Sequence, residues 1–224
     1  MLFISRLLRL CFFLLTPRKL RWIFNRWGWN VHATAKIGLS LILVDNLKIG
    51  KDGRIGHLNV IKALKTLSLG DNSSIGHLNW ISAFTGDIFS STPLANENRL
   101  TMDLAKGAAI THRHMFDCTG GLKVGEFSLV AGWGSRFIGH GIDIYESRQQ
   151  ATHITIGDYC MIGSSVIFVG PVDIKGHCII APGAVLKGMF LKPFRLIGGV
   201  PAKEIKVLEA DAVKYFSRKN PHIS

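Results

Sequence analysis

Apolar residues at a constant spacing of six are the feature of this sequence that most restricts its fold. A helix repeats its apolar face every 3.6 residues and a strand every two, so neither alone accounts for a period of six. The period predicts a solenoid of hexapeptide repeats, in which each repeat forms a short strand and a turn and three repeats close a triangular coil. The unbroken run is Ile156, Ile162, Phe168, Ile174, Ile180 and Leu186.

The residues around this run agree with a solenoid. Gly157 and Gly163 directly follow apolar positions, where we expect them to allow backbone bends. The same spacing recurs in three stretches upstream. Together with the run from Ile156 to Leu186 they make four stretches in one register, which favours the solenoid over a parallel β-sandwich core. The upstream positions are Ile49/Ile55, Leu69/Ile75/Ile81 and Val124/Val130. Small residues suited to a corner stand four places after an apolar position, at Cys160, Val166, Val172, Cys178 and Ala184.

Composition is consistent with one domain that carries terminal extensions. The chain has 224 residues, of which 47% are hydrophobic and 24 are glycine. Lys and Arg number 27 against 15 Asp and Glu, so some anionic partner is expected. No nucleic-acid-binding motif is present, and the basic residues concentrate at the two ends. An anionic small ligand or an anionic membrane surface therefore fits better than nucleic acid.

The four cysteines form neither a redox motif nor a metal motif. Cys160 and Cys178 are eighteen residues apart, so we expect them to stack on successive coils as small buried groups. This usage favours a reduced, cytoplasmic setting.

Residues 1–30 differ from the rest of the chain, with six basic residues, three tryptophans and no acid. A cleaved signal peptide is not expected, because arginines interrupt the apolar stretch and no cleavage motif follows. The uncharged run is also far shorter than the roughly 20 residues that span a bilayer. Two compatible interpretations remain: an amphipathic helix at the membrane interface, or a helix that caps the first coil.

The apolar spacing lapses between Ile81 and Ile110. This polar stretch predicts a loop over about 84–108 that leaves the solenoid and returns, with a short helix at 97–105. A long excursion from a regular scaffold often carries binding surface.

A second irregular stretch contains His140, which stands between two glycines. Such a histidine is poorly shielded by its neighbours, and an imidazole can take a proton from a hydroxyl group near neutral pH. Asp143, three residues on, could orient the ring.

The other histidines have simpler interpretations. His112 and His114 could both ligate zinc from one face of a strand, but no thiolate or acid at a suitable spacing completes a ligand set, so no metal is expected. Four further histidines are predicted to be surface side chains of the solenoid: His57, His77, His153 and His177.

Three segments carry a resemblance to a known family: F-I-G-H-G-I-D, I-G-D-Y-C-M-I-G and G-G-V-P-A-K. With the hexapeptide repeats, they resemble the left-handed β-helix acyltransferase superfamily, and within it the bacterial polysaccharide O-acetyltransferases of colanic acid, capsule and O-antigen decoration. The resemblance covers residues 31–207. It implies an all-β solenoid, a left-handed parallel β-helix, with an N-terminal helical extension and a short C-terminal helix in the tail, 208–224.

The resemblance also implies roles for individual residues. His140 corresponds to the catalytic histidine of the family, although Gly139 replaces the threonine that usually precedes it. The family uses acetyl-CoA, and it forms homotrimers with the active site between subunits. On this basis the saccharide acceptor is expected at His114, Asp117, Ser135, Arg148 and Gln149. The expected acetyl-CoA contacts are Ser164, Ser165, Lys187, Pro201 and Lys203.

The expected function is transfer of an acetyl group from acetyl-CoA to a sugar hydroxyl of a surface polysaccharide precursor. Residues 1–30 would place a lipid-linked acceptor within reach at the inner face of the cytoplasmic membrane. Three alternatives use the same scaffold: a nucleotide-sugar N-acyltransferase, a metalloenzyme similar to the β-helical carbonic anhydrases, and a scaffold without catalytic activity.

Overall fold

The computed structural model describes residues 24–26, 28–86 and 99–220, which form a parallel β-helix. Short strands from successive coils pair side by side, and each coil has three sides. The strands in chain order are β1 (Asn30–Val31), β2 (Lys36–Ile37), β3 (Leu41–Ile49), β4 (Arg54–Ile55), β5 (Val60–Leu69), β6 (Ser74–Ile75), β7 (Trp80–Ser82), β8 (Thr101–Leu104), β9 (Ala109–Ile110), β10 (Met115–Asp117), β11 (Leu122–Val124), β12 (Leu129–Val130), β13 (Arg136–Ile138), β14 (His140–Asp143), β15 (Arg148–Ala151), β16 (Ile154–Ile156), β17 (Met161–Ile162), β18 (Ile167–Ile174), β19 (Cys178–Ile180), β20 (Val185–Phe190), β21 (Arg195–Gly199) and β22 (Ala202–Val207).

Three corners of the coil matter for the site, and we name them by their residues. Edge A, where the third side passes into the first side of the next coil, contains Thr119, Gly139, Thr152, Gly170 and Lys187. Edge B, between the second and third sides, contains His57, His77, His112, Trp133 and Ser164. Edge C, between the first and second sides, contains Phe127, Tyr159, His177 and Phe194.

The predicted spacing of six is confirmed by the strand register. Ile156 pairs with Ile174, and Phe168 pairs with Leu186, so every third repeat lies on the same side. All six apolar residues of the run are at most 3% exposed. The coil from Ile49 to Leu69 is two residues longer than the coil from Ile156 to Ile174, and the additional residues fall at edge A between Ile61 and Leu69.

The glycines after apolar positions have a different role from the predicted one. Neither Gly157 nor Gly163 has a positive φ; the bends occur two residues later, at Tyr159 (φ 54°) and Ser165 (φ 58°). A Cβ on Gly163 would lie 2.7 Å from the backbone nitrogen of Pro182 on the next coil. These glycines therefore allow successive coils to approach closely.

The first excursion is shorter than predicted. Thr101–Leu104 is a strand, and Leu104 pairs with both Leu69 and Val124, so the solenoid resumes at residue 101 and the predicted helix is wrong over 101–104. Leu104 stands six residues before Ile110, but no glycine follows it to mark the repeat. Residues 97 and 98 lie outside the described residues.

The described part of residues 1–30 caps the first coil. Phe24 and Trp29 are 4% and 5% exposed, belong to the hydrophobic core and have ring centroids 5.5 Å apart. The side-chain amide of Asn25 donates to Val31 O (2.8 Å) and accepts from Val31 N–H (2.7 Å), so it pairs with the strand edge as a neighbouring strand would. Trp29 is thus a core residue. The predicted interfacial helix lies outside the described residues.

The tail returns to the solenoid at edge C. A short 3-10 helix, Lys214–Ser217, places the Tyr215 hydroxyl 3.0 Å from Cys160 O. The Phe216 ring packs against His177 and Phe194, at centroid distances of 5.5 and 5.7 Å. In the part of the chain that the structure describes, no helix has the length and hydropathy needed to span a membrane.

Candidate active site

His140 lies where the chain leaves the solenoid a second time, at edge A. It is the first residue of β14, which pairs antiparallel with β15 in a hairpin in which His140 faces Ala151. The hairpin projects from the solenoid, and its tip is exposed. The imidazole side chain is 30% exposed, so it is anchored by the hairpin base yet accessible to solvent.

Asp117, on the coil before His140, is the acid that contacts the imidazole. Its Oδ2 is 2.5 Å from His140 Nδ1 and also accepts from Gly139 N–H (2.9 Å). Its Oδ1 accepts from the backbone N–H (3.1 Å) and the hydroxyl (2.5 Å) of Thr119. The Gly139 N–H, the Thr119 N–H and the Thr119 hydroxyl all donate to this carboxylate, so both of its oxygens act as acceptors.

The structure corrects the predicted role of Asp143. Its Oδ1 accepts from the backbone N–H groups of Tyr145 (3.0 Å) and Glu146 (3.1 Å), and its Oδ2 accepts from Gln150 Nε2 (2.7 Å). These contacts form the turn of the hairpin. Asp143 therefore shapes the hairpin, and the orienting contact to His140 comes from Asp117.

The close approach of Asp117 explains the glycine before the histidine. A Cβ on Gly139 would overlap the backbone carbonyl oxygen of Asp117. A threonine here would require the backbone to move. The departure from the usual threonine thus permits the short distance between the coil and the base of the hairpin.

An aromatic side chain lies against the imidazole. The Phe84 ring centroid is 5.2 Å from that of His140, at an interplanar angle of 49°. Phe84 is the second residue after β7, at the start of the first excursion, and is 56% exposed. Its backbone N–H donates to the hydroxyl of Thr119 (2.8 Å). The excursion and the hairpin therefore meet at His140.

The hydrogen bonds assign the tautomer of His140. Asp117 accepts hydrogen bonds from Gly139 and Thr119, so the proton that it shares with His140 is assigned to Nδ1, and in this tautomer Nε2 carries the lone pair. A carboxylate that holds one ring nitrogen in this way fixes the orientation of the imidazole, which is one of the features of a histidine general base.

His114 and Ser135, predicted to face the acceptor, lie inside the solenoid. They belong to a buried ladder in which each side chain accepts from a backbone N–H of the following coil, composed of Ser40, Asn59, Asn79, His114 and Ser135. His114 Nδ1 accepts from Ser135 N–H (3.1 Å), and Nε2 lies 3.0 Å from the Thr111 hydroxyl, which itself donates to a backbone carbonyl. His114 is 2% exposed, so its role is structural.

Burial also determines the charge of His114. Desolvation lowers the pKa of its imidazole from 6.5 to about 4; a hydrogen bond to the backbone of Gly132 opposes this change, and nearby His112 adds to it. The ring is consequently neutral at physiological pH. Nδ1 is engaged in the ladder and Nε2 contacts the Thr111 hydroxyl, so the His112–His114 pair loses one of the two ligands that the zinc interpretation requires.

The other predicted acceptor residues lie on the hairpin. Arg148 is exposed and faces Asp143 across β14 and β15. Gln149 faces Ile142, two residues along from His140. Its Oε1 atom is buried, and no donor among the described residues reaches it.

The predicted donor-binding residues fall on different parts of the surface. Lys187 is exposed at edge A, two coils beyond His140. Ser164 and Ser165 lie at edge B, a different corner of the triangle. Pro201 and Lys203 are exposed on the connection between β21 and β22 and on β22 itself. Within one chain, Lys187 is the only one of these five at the edge that carries His140.

Several other groups have contacts that define their roles. His57, His77 and His112 stack along edge B, with ring centroids 5.4 and 5.1 Å apart. His153 pairs with Asp173 (3.0 Å).

Burial strongly raises the pKa of the Cys118 thiol, so it is a poor nucleophile. Within the described residues, no group of three or more His, Cys, Asp or Glu side chains could hold a metal ion.

Sequence reasoning assigned Asp117 to the acceptor and missed its contact with His140, and it singled out neither Thr119 nor Phe84. For Asp117 the available signal was the pairing of Phe116 with Phe137, which sets Asp117 beside Ile138 and therefore near His140. That register follows from the sequence only if the one-residue lengthening of this coil is known.

Comparisons with known proteins identify the fold. No family model and no curated protein matches the sequence. Among solved structures, the polysialic acid O-acetyltransferase OatWY is similar at 16% identity with a TM-score of 0.63, over 81% of this chain and 86% of that chain. A mutant of AntD, an N-acyltransferase from Bacillus cereus, in complex with dTDP and coenzyme A, is similar at 13% identity with a TM-score of 0.51, over 85% and 90%. The chain therefore shares the fold of these two acyltransferases.

Proposed function

We propose that this protein is an acyltransferase that moves an acetyl group from acetyl-CoA to a sugar hydroxyl, with His140 as general base. The observation that carries the proposal is the pair formed by Asp117 and His140. A carboxylate held by three donors, the Thr119 N–H, the Thr119 hydroxyl and the Gly139 N–H, fixes the imidazole at an accessible edge of the solenoid. No step requires a covalent enzyme intermediate.

In the proposed reaction, Nε2 of His140 takes the proton of the hydroxyl group as its oxygen attacks the thioester carbonyl. A carbon–oxygen bond forms, the carbon–sulfur bond breaks, and coenzyme A leaves with the proton returned by the imidazolium. Asp117 stabilises that imidazolium and keeps the ring oriented. Backbone N–H groups at edge A would stabilise the oxyanion.

The donor would lie along edge A. Strands of adjacent coils are about 4.8 Å apart, so Lys187 is roughly 10 Å from the coil of His140 along the solenoid axis. Its exposed ammonium suits a phosphate group of the coenzyme. Arg195 is less suited, because its guanidinium already contacts Glu204 (3.3 Å). Ser164 and Ser165 could contribute only if a second copy brought its edge B to this site, as in the homotrimer that we propose.

We prefer a sugar hydroxyl as the acceptor, as in OatWY, a polysialic acid O-acetyltransferase that shares the fold. The sequence resemblance is to the same kind of enzyme, the polysaccharide O-acetyltransferases of the left-handed β-helix acyltransferase superfamily. AntD, an N-acyltransferase in complex with dTDP and coenzyme A, supports the alternative, a nucleotide-sugar N-acyltransferase. The two differ in acceptor, so a panel of nucleotide-linked amino sugars and lipid-linked saccharides would separate them.

Residues 1–30 contribute to the proposed location. The described part caps the solenoid through Phe24 and Trp29, and the preceding residues are basic and apolar. We propose that they contact the inner face of the cytoplasmic membrane, where a lipid-linked acceptor would be displayed. Deletion of residues 1–15 should then move the protein from the membrane fraction to the soluble fraction; an unchanged distribution would contradict this location.

The decisive experiment is to follow thiol release from acetyl-CoA with this acceptor panel for wild type, His140→Asn and His153→Asn. His153 is a matched control, because it is similarly exposed and also pairs with an aspartate. We expect His140→Asn to lower the rate by about 10²-fold or more and His153→Asn to leave it nearly unchanged. Equal rates in wild type and His140→Asn would reject the proposal.

A further inference from the structure

Thr119 occupies a position that joins three parts of the site. It lies at edge A, one coil before His140, and is fully buried. Its hydroxyl donates to Asp117 Oδ1 (2.5 Å) and accepts from Phe84 N–H (2.8 Å). Its backbone carbonyl accepts from Leu100 N–H (3.4 Å). Both ends of the first excursion therefore hydrogen-bond to Thr119.

The Thr119 hydroxyl makes two hydrogen bonds with different roles: it donates to Asp117 and accepts from the backbone of Phe84. The donated hydrogen bond, together with the Thr119 N–H, holds one oxygen of Asp117, which leaves the other oxygen to contact His140. The accepted hydrogen bond fixes the backbone at Phe84, whose ring lies against the imidazole. A single group thus sets both the acid behind the base and the aromatic ring beside it.

Phe84 is placed to contact whatever approaches the imidazole. Its ring is 56% exposed although it packs against His140, so part of the ring surface is open to solvent beside the imidazole. An aromatic face offers van der Waals contact to the C–H groups of a sugar ring, and it excludes water from one side of the imidazole.

We propose that Thr119 is a positioning residue that couples the first excursion to the Asp117–His140 pair, and that Phe84 is the acceptor-contacting wall which Thr119 holds in place. This inference rests on the proposed function. It predicts separate kinetic effects: loss of the Thr119 hydroxyl disturbs the base and lowers kcat, whereas loss of the Phe84 ring weakens acceptor binding and raises KM for the saccharide.

The test compares three variants of the full chain, Thr119→Val, Thr119→Ser and Phe84→Ala, with the wild-type protein. Valine has nearly the same shape as threonine but neither donates nor accepts, whereas serine keeps the hydroxyl and loses only a methyl group. We expect Thr119→Val to lower kcat about 10-fold, Thr119→Ser to restore most of it, and Phe84→Ala to raise KM for the saccharide several-fold with little change in kcat. Thr119→Ser as impaired as Thr119→Val would overturn the proposal, since it would assign the effect to packing.

A second measurement needs no substrate and remains informative if the acyltransferase assignment fails. The proton on His140 Nδ1, shared with Asp117, should give a slowly exchanging NMR signal that is absent from His140→Asn. We expect this signal in wild type and Thr119→Ser, and its loss by solvent exchange in Thr119→Val. A signal unchanged in Thr119→Val would reject the coupling. If Thr119→Val does not fold, Phe84→Ala still tests the proposal, because Phe84 is exposed and its replacement should not prevent folding. An unchanged KM for the saccharide in Phe84→Ala would reject the contact between Phe84 and the acceptor.

Discussion

Asp117 and His140 lie on successive coils with 2.5 Å between Oδ2 and Nδ1, whereas Asp143, only three residues from His140, is engaged in the turn of the hairpin. Neighbours across the coils therefore determine this site more than neighbours in sequence. The contact depends on the register of β10 and β13, which places Asp117 beside the residues that lead into the hairpin.

The two aspartates should respond differently to substitution. In Asp117→Asn the amide can present its NH₂ group to Nδ1, which moves the imidazole proton to Nε2 and removes the base. We expect kcat/KM to fall by about 10²-fold or more, with a small effect for Asp143→Asn. Steady-state thiol release measures both. The reverse order of effects would restore the sequence-based assignment to Asp143.

The glycine before the histidine gives a geometric test. In Gly139→Ala the new Cβ overlaps the carbonyl oxygen of Asp117, so the hairpin base must shift away from the acid. A displacement of about 1 Å can reduce catalysis on the order of 10²-fold. Gly141→Ala is the matched control, because nothing lies within 4 Å of a Cβ built there. Similar activity in both variants would show that the close approach is not needed.

The spacing of six was sufficient to predict the solenoid because long runs of apolar positions are visible in the sequence and each coil repeats the same burial requirement, although Leu104, which no glycine follows, was missed. The same rule, applied fully, also describes His114. It stands four places after Ile110, the position at which the solenoid turns a corner and buries a small or hydrogen-bonded side chain. The chemistry of its imidazole suggested a zinc ligand or an acceptor contact, whereas its position in the repeat is that of a buried, hydrogen-bonded corner residue.

The rest of the site could not be predicted because it depends on departures from the repeat. The coil from Phe116 to Phe137 is one residue longer than the coil from Ile61 to Ile81, and the two excursions have lengths that no period determines. Thr119, which has no distinctive sequence context, becomes recognisable only when Phe84 is known to lie above it.

His114 should make stability depend on pH. The folded protein holds its pKa at about 4, below the value of 6.5 for an unperturbed imidazole, so the unfolded chain binds a proton first as the pH falls. The contribution is fully present above pH 6.5 and declines towards pH 4, by about 1.4 kcal/mol per pH unit in the steepest region and on the order of 3 kcal/mol in all.

The measurement is urea unfolding of wild type and His114→Asn at pH 7 and pH 5. Asparagine does not titrate, and Asn79 already occupies the equivalent position one coil earlier. The smaller side chain should lower the stability of the variant at both pH values, but its free energy of unfolding should fall less between them. An identical decrease in both proteins would contradict the buried neutral imidazole.

Donor binding tests the proposed use of edge A. Lys187 lies at the same edge as His140 and is exposed, whereas Lys203 lies on β22 beyond the last coil. A lysine–phosphate contact contributes roughly 1.5 kcal/mol, so Lys187→Ala should raise KM for acetyl-CoA about 10-fold while kcat changes little. The loss should shrink as salt is added, because a contact between exposed charges is screened. Lys203→Ala, which removes the same charge elsewhere, separates a local phosphate contact from the general field of a basic protein. If Lys203→Ala raises KM and Lys187→Ala does not, the coenzyme phosphates lie at the end of the solenoid and the donor does not follow edge A.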